Sequence, residues 1–415
     1  MRPLKQRCCQ SAREPDNGGV NRGISGANLP ALRSHNTALV LGLLRTATGG
    51  AGTGISRLEL AERTGLTPQA VSKITARLRA DGLVDEAGRG APTGGKPRTL
   101  LRLARRARYA AGVHLDRDEL TVVLADLAGG VADARTLPLD LGRPAGEVLE
   151  AVAGVVRETV RATPGADGAV LGAGLACPGP LDHAAGVLHR VTGLPGWDGY
   201  PLRDALAERL GLPVVLDKDT NAAALAVLPP GGDAAAGAGP GQGAGDSFGY
   251  LHLGTGLGAG LVLDGALHRG ARTGAGEFGH QAVAPDGPVC ACGNRGCLEA
   301  LCLAAVGRGD AAEAARLLGV GAANLVSLLD LDRVVLGGRT VLADPGLFAR
   351  EVAAAMDPRT LRAAGRTVPV IVAPAGRRVV AEGAALLALA PLFGQTAVGR
   401  PPVRVRGAGR HGVAR

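Results

Sequence analysis

Apolar residues first become periodic after about residue 30. In the stretch 55–81, ISRLELAERTGLTPQAVSKITARLRAD, Leu58, Leu60, Ala61 and Leu66 are spaced to line one face of a short helix. Gly65 stands where a left-handed residue would close that helix. Thr67 offers an N-cap, Pro68 fits the first helical position, and Val71, Ile74 and Leu78 recur at i, i+3 and i+7 in a second helix. A helix over 34–46 precedes this pair and completes a three-helix core. Apolar residues at 83–84 and 100–103 predict two paired strands around the Gly/Pro-rich loop 88–98, GRGAPTGGKPR.

Beyond residue 108 the pattern changes to runs of strand length separated by amphipathic helices. Strands are expected at 109–115, 120–126, 131–139, 169–176, 248–253, 259–263 and 333–336. Helices are expected at 144–163, 311–329 and 379–392. Meanders alternating with helices predict an α/β body of two lobes. The segment 229–246, PPGGDAAAGAGPGQGAGD, has no side chains with which to build a core and reads as a low-complexity insertion. The expected division is therefore a disordered basic tail (1–29), a winged helix-turn-helix (30–108), lobe 1 (109–228, completed by a C-terminal helix at 376–394), the insertion, lobe 2 (247–375) and a second basic tail (395–415).

Charge sharpens the first of these units. The 415 residues carry a net charge of +9. Residues 1–110 hold 19 basic and 7 acidic side chains, whereas 111–394 hold 22 and 30, and the last 21 residues hold five Arg and no acid. A basic end on an acidic body suggests a polyanionic partner. The second short helix would present Thr67, Gln69, Ser72, Lys73, Thr75 and Arg79 to base edges and phosphates in a major groove, with Arg89, Lys96 and Arg98 of the wing on the backbone. Double-stranded DNA is the expected partner. Aromatic content of 2% argues against stacking on single strands. No run of 18 apolar residues occurs and the N-terminus lacks an apolar signal core, so no membrane segment and a cytoplasmic location are expected.

Seven cysteines are an odd set for a disulfide framework. Three of them, Cys290, Cys292 and Cys297, lie within CACGNRGCLE, ten residues after His280. Three thiolates and an imidazole complete a tetrahedral zinc site with no position left for water, so the expected role of Zn²⁺ is structural. Cys8, Cys9, Cys177 and Cys302 lack such company and read as plain thiols.

Four segments together, DKDTNAAAL (217–225), GTGLGAG (254–260), GEFGH (276–280) and CACGNRGCLE (290–299), resemble the ROK family of bacterial repressors and sugar kinases. The resemblance extends over about 30–392. It implies an actin-like (RNase H-like), two-lobed ATPase-type fold behind the winged helix-turn-helix, and a homodimer or homotetramer. Asp219 matches the family's catalytic Asp, and Glu277, His280 and Glu299 match residues that hydrogen-bond sugar hydroxyls. Gly179 and the segment 194–197 fall where the sugar-lining loops lie, although Trp197 could equally be a packed loop residue.

Two departures bear on activity. Lys218 stands where the family carries a sugar-binding Asn, which either admits an acidic ligand or points outward. The family's D-x-G-G-T phosphate loop reads HLDRDE here (114–119), with the first Asp and both glycines lost and acids added. Kinase chemistry needs that loop to position phosphates. Asp219 is then vestigial and no catalytic residue is expected. The chain after Glu299 is also short, with about ten residues before the helix at 309–315. The reading is a repressor controlled by a sugar or sugar derivative. The alternatives are a sugar kinase using Asp219 as base, and a ligand-independent DNA-binding protein whose body only dimerises.

Overall fold

The computed structural model describes residues 29–49, 54–90, 97–189, 195–228, 246–360 and 367–394. Lys96 and Leu194, both tails and nearly all of the insertion lie outside the described residues.

The head is built from helices Leu29–Gly49, Arg57–Thr64 and Pro68–Ala80, with strands Ile55–Ser56, Val84–Arg89 and Thr99–Leu103 in one small sheet. Local chemistry sets each boundary. Ser56 and Glu59 form a capping box on the first short helix, a signal in the sequence that apolar spacing alone passes over. Gly65 ends that helix at φ 69°. Thr67 accepts from the Ala70 amide, with Pro68 behind it, to start the next. Leu60, Ala61, Val71 and Leu78 are buried, but Leu58 is 40% exposed, so the inner face of the first short helix is narrower than its spacing suggests.

The body contains two five-stranded sheets of the same design. In the first, strands Tyr109–Leu115, Glu119–Asp126, Val131–Pro138, Val170–Cys177 and Val214–Lys218 lie in the order 3-2-1-4-5. In the second, Phe248–Leu253, Leu257–Leu263, Ala266–His268, Arg333–Gly337 and Val370–Val372 repeat that order. In both, the first three strands form an antiparallel meander and the last two run parallel to the first. Parallel neighbours need crossover connections, which the helices supply.

Strand Tyr109–Leu115 is buried along its whole length because both faces are covered. Tyr109, Ala111, Val113 and Leu115 pack with Val148, Leu149, Val152 and Val156 of helix Ala145–Ala162. On the other face lies helix Val379–Leu389. It comes so close that a Cβ at Gly112 or Gly174 would collide with the carbonyls of Ala381 or Ala384. Glycine there is a consequence of close approach.

Helix Val379–Leu389 is also the centre of the molecule. It packs on helix Asp219–Val227 through small residues, with Gly383 against Ala222. Around that pair, residues of both sheets (Ala176, Phe248, Tyr250, Val335) form one core. Leu389 and, beyond it, Phe393 enter the head's own core beside Leu41, Leu44, Leu60 and Leu101. Arg45 of the head stacks over the Phe393 ring, 4.9 Å from its centroid. Head and body thus share one apolar cluster, each fully buried Leu contributing about 1.5–3 kcal/mol.

Helix Ala311–Leu329 is long and apolar enough to cross a membrane by composition. Here it is a core helix, packed on Leu298–Gly307 and Pro345–Met356.

Candidate functional site

A cleft of about 1060 Å³ lies between the two sheets. Its floor is made where strand Val214–Lys218 passes into helix Asp219–Val227. Asp219 opens that helix and its Oδ1 accepts from the Thr220 amide at 2.6 Å. Burial pushes its carboxyl up to about 7, against the pull of that amide. Asp219 therefore holds its proton to a higher pH than an ordinary carboxyl.

Lys218 points inward and is 3% exposed. Its ammonium sits 3.1 Å from Glu277 Oε1 and donates to the Ala275 carbonyl. The outward placement left open by the sequence does not occur. The acidic-ligand alternative loses its motive as well, because the charge is already neutralised by Glu277. Next to Lys218, the buried Asp217 accepts from Arg269 and Asn221 and contributes nothing to the cleft surface.

Glu277, His280 and Glu299 line the same cleft. Glu299 Oε2 accepts from the Leu257 amide at 2.8 Å, which leaves its other oxygen to a ligand. Gly179 lies on the opposite wall, where an added Cβ would meet Lys218 Cδ at 3.0 Å. Trp197 does not face a ligand. It is 2% exposed, donates its indole N–H to the Leu141 carbonyl and meets Tyr200 edge-on, so it is a packed loop residue.

At the far end of the cleft, hairpin 114–119 faces the turn 254–256. The Thr255 hydroxyl donates to Asp116 Oδ1, and the Arg339 guanidinium reaches across from the other lobe to both Asp116 and Asp118. Burial raises the Asp116 carboxyl, but the neighbouring His114, the Arg117 amide and Arg339 more than offset it and hold it below the usual range. His114 is buried, its Nε2 has no hydrogen-bond partner, and burial drives its imidazole down to about 4. Arg339 and Thr255 are the residues that sequence reasoning missed. The signal was available: Gly337-Gly338-Arg339 ends a buried strand at the cleft.

The cysteine–histidine cluster lies on the rim. The donor atoms of His280, Cys290, Cys292 and Cys297 all fall within 4.8 Å of one another. Cys290 Sγ is 3.8 Å from His280 Nδ1, and Cys292 Sγ is 3.7 Å from Cys297 Sγ. A tetrahedron with metal–sulfur bonds of about 2.3 Å has edges of about 3.8 Å. These four residues could therefore hold a metal ion. Gly293 (φ 92°) and Gly296 (φ 64°) permit the turns that gather the sulfurs.

On the head, Thr67, Gln69, Ser72, Lys73 and Arg79 of the second short helix are exposed, as are Arg89 and Arg98 at the ends of the wing strands. Thr75 corrects the sequence reading. It is fully buried and its hydroxyl bonds the Val71 carbonyl, so it cannot reach DNA. It sits at i+4 from Val71, and so falls on the inner face of the helix. Arg77, exposed and reaching Thr37, lies on the outer face instead. Arg79 pairs with Glu86 of the wing at 2.9 Å, both nearly half exposed, which tethers helix to wing without removing Arg79 from solvent.

Comparison with known proteins agrees with this architecture. The ROK family pattern matches residues 110–309, and a winged helix-turn-helix DNA-binding pattern matches 53–85. The ROK hexokinase of Thermus thermophilus is 31% identical, with 97% of its chain covered by 67% of this one and a TM-score of 0.52. The chain belongs to the ROK family.

A ROK family transcriptional regulator, a homologue of the E. coli MLC protein, shares the fold over 86% of this chain and 97% of its own, at 21% identity and a TM-score of 0.65. Among curated ROK relatives, the xylose repressor of Bacillus subtilis is 28% identical over 59% of this chain and 61% of its own. The DNA-binding transcriptional dual regulator NagC of Escherichia coli is 27% identical over 60% and 58%. The chain thus matches about three fifths of the length of these relatives. The two sheets of like order are the lobes of the ROK actin-like fold, and the head is its winged helix-turn-helix.

Proposed function

We propose that this ROK protein is a DNA-binding transcriptional repressor controlled by a sugar or sugar derivative held between its lobes, and that it is not an enzyme. One observation carries the reading: a capped, basic winged helix-turn-helix is joined through a continuous apolar core to a cleft whose phosphate-facing hairpin is already engaged by Arg339. The names of the xylose repressor and NagC support it. A homodimer or homotetramer would set two recognition helices in successive major grooves of a double-stranded operator. Thr67, Gln69, Ser72, Lys73 and Arg79 would face bases and phosphates, with Arg89, Lys96 and Arg98 on the backbone. The cytoplasm is where such an operator would be met.

The sugar would be bound by Asp219, Glu277, His280 and Glu299, with Lys218 holding Glu277 in place. Zn²⁺ fits the four donors of His280, Cys290, Cys292 and Cys297 and would be structural, since they fill a tetrahedron. His280 turns Nδ1 toward the sulfurs, so a bound metal would fix its ring with Nε2 free for the ligand. The physical path to the head is short. Helix Asp219–Val227 starts at the sugar site and packs on helix Val379–Leu389, which runs into the head's core. The sugar releases DNA if it binds more tightly to the state in which the heads are misplaced. Titration of a fluorescent upstream DNA fragment with the protein, then with a panel of sugars, tests this. Binding at low salt and release by one sugar class support it, and no binding at any salt refutes it.

The retained Asp219 favours a second reading, a sugar kinase with Asp219 as base. Arg339 opposes it by occupying the acids where a nucleotide's phosphates would have to be met. Coupled ADP release over the same sugars decides: turnover abolished in Asp219→Asn would establish the kinase.

A further inference from the structure

The hairpin 114–119 has lost the features with which a kinase of this family would receive phosphates, yet side chains of the other lobe bond two of its acids. Arg339, which begins helix Arg339–Ala343 in lobe 2, donates Nη1 to Asp118 Oδ2 at 2.7 Å and Nη2 to Asp116 Oδ2 at 3.0 Å. Its Nη2 also bonds Asp118 Oδ1. Thr255 adds a hydroxyl to Asp116 Oδ1 from the same lobe at 3.0 Å. Glu119 of the hairpin lies 3.7 Å from Arg377 Nη1, in the turn that leads directly into helix Val379–Leu389. A guanidinium presents a rigid fork of donors and keeps its charge at any physiological pH, so one residue can hold two carboxylates at once.

We propose that Arg339, Asp116 and Asp118 form an interlobe clasp that closes the nucleotide end of the cleft without a nucleotide. The acids added to the hairpin are the receptors of this clasp. With that end held, the cleft opens at the sugar end, and lobe motion pivots about the clasp beside the start of the helix that reaches the head. The clasp follows from side-chain geometry alone and stands whether or not the chain binds DNA.

Hydrogen exchange followed by mass spectrometry on the full chain tests it. Exchange reports local opening free of any ligand. Arg339→Ala should speed exchange of the amides in 113–120 and 254–258 at least tenfold, leaving the zinc-ligand loop 290–297 and helix Pro68–Ala80 unchanged. The charge-reversed pair Arg339→Asp with Asp118→Arg should restore protection. Arg339 is about one-third exposed, so 1 M NaCl should loosen the same two segments in the wild-type protein by screening. That arm decides the matter if the variant fails to fold. Unchanged exchange at 113–120 and 254–258, in the variant or in salt, overturns the clasp.

Discussion

Lys218 and Glu277 meet across the cleft, one from each lobe, with Nζ 3.1 Å from Oε1. The partners are unequal: Lys218 is 3% exposed and Glu277 43%. Breaking such a pair is expensive on the side that leaves a buried charge alone. Glu277→Gln strands the Lys218 ammonium with the Ala275 carbonyl and should cost about 1–3 kcal/mol, discounted because water reaches Glu277. Lys218→Met leaves a solvated carboxylate and should cost clearly less. Urea denaturation of the two variants compares them, and equal losses would show that the pair does not act as described.

Asp219 makes stability depend on pH. Its folded value of about 7 lies above the ordinary 3.8. Between those values the folded state keeps a proton that the unfolded state has released, so stability falls as pH rises from about 4 to 7 and then levels off. Asp219→Asn removes that penalty. The variant should be more stable than wild type by about 1–2 kcal/mol at pH 8 and little different at pH 4, part of the shift being discounted for water in the cleft. Melting curves across that range check it; a variant whose advantage does not grow with pH contradicts the raised carboxyl.

Cys290→Ser or Cys297→Ser should release the metal and loosen lobe 2, since a structural site contributes its binding energy to folding. Metal content of the purified variants, read beside wild type by elemental analysis, should fall from one equivalent to near zero. Undiminished metal would remove these ligands from the account.

Much of this was legible in the chain. The two-helix signal at 55–81 needed only capping residues and local spacing, and CACGNRGCLE announced by donor type the sulfur cluster that gathers with His280 and could hold a metal. What stayed hidden depended on chain brought from afar. Thr75 is the exception: its i+4 spacing from Val71 already places it on the inner face, and its short polar side chain in a basic helix hid that. Lys218 could be placed only once Glu277, 59 residues on, was beside it. Arg339 lies 223 residues from Asp116, a pairing that periodicity cannot carry. Helices Leu202–Leu210 and Pro345–Met356, although regular, were not singled out by apolar spacing.

Lys73, exposed on the recognition helix, should contact a phosphate or base edge. Lys73→Glu should weaken operator binding at least tenfold and leave the melting temperature within about 2 °C, because nothing in the core depends on it. Thr75→Val, a change inside the head, should leave the salt slope of binding unaltered. Fluorescence anisotropy at several salt concentrations separates these outcomes.

Sequence-specific DNA reading by the head is the property on which the proposed repressor rests. Its most direct test is selection of bound fragments from sheared genomic DNA by the purified full chain at about 100–150 mM salt. A small set of enriched fragments sharing two related half-sites one or more helical turns apart is expected, with loss of that enrichment in Lys73→Glu. Recovery no different from input DNA, with the protein folded and loaded with metal, would contradict it.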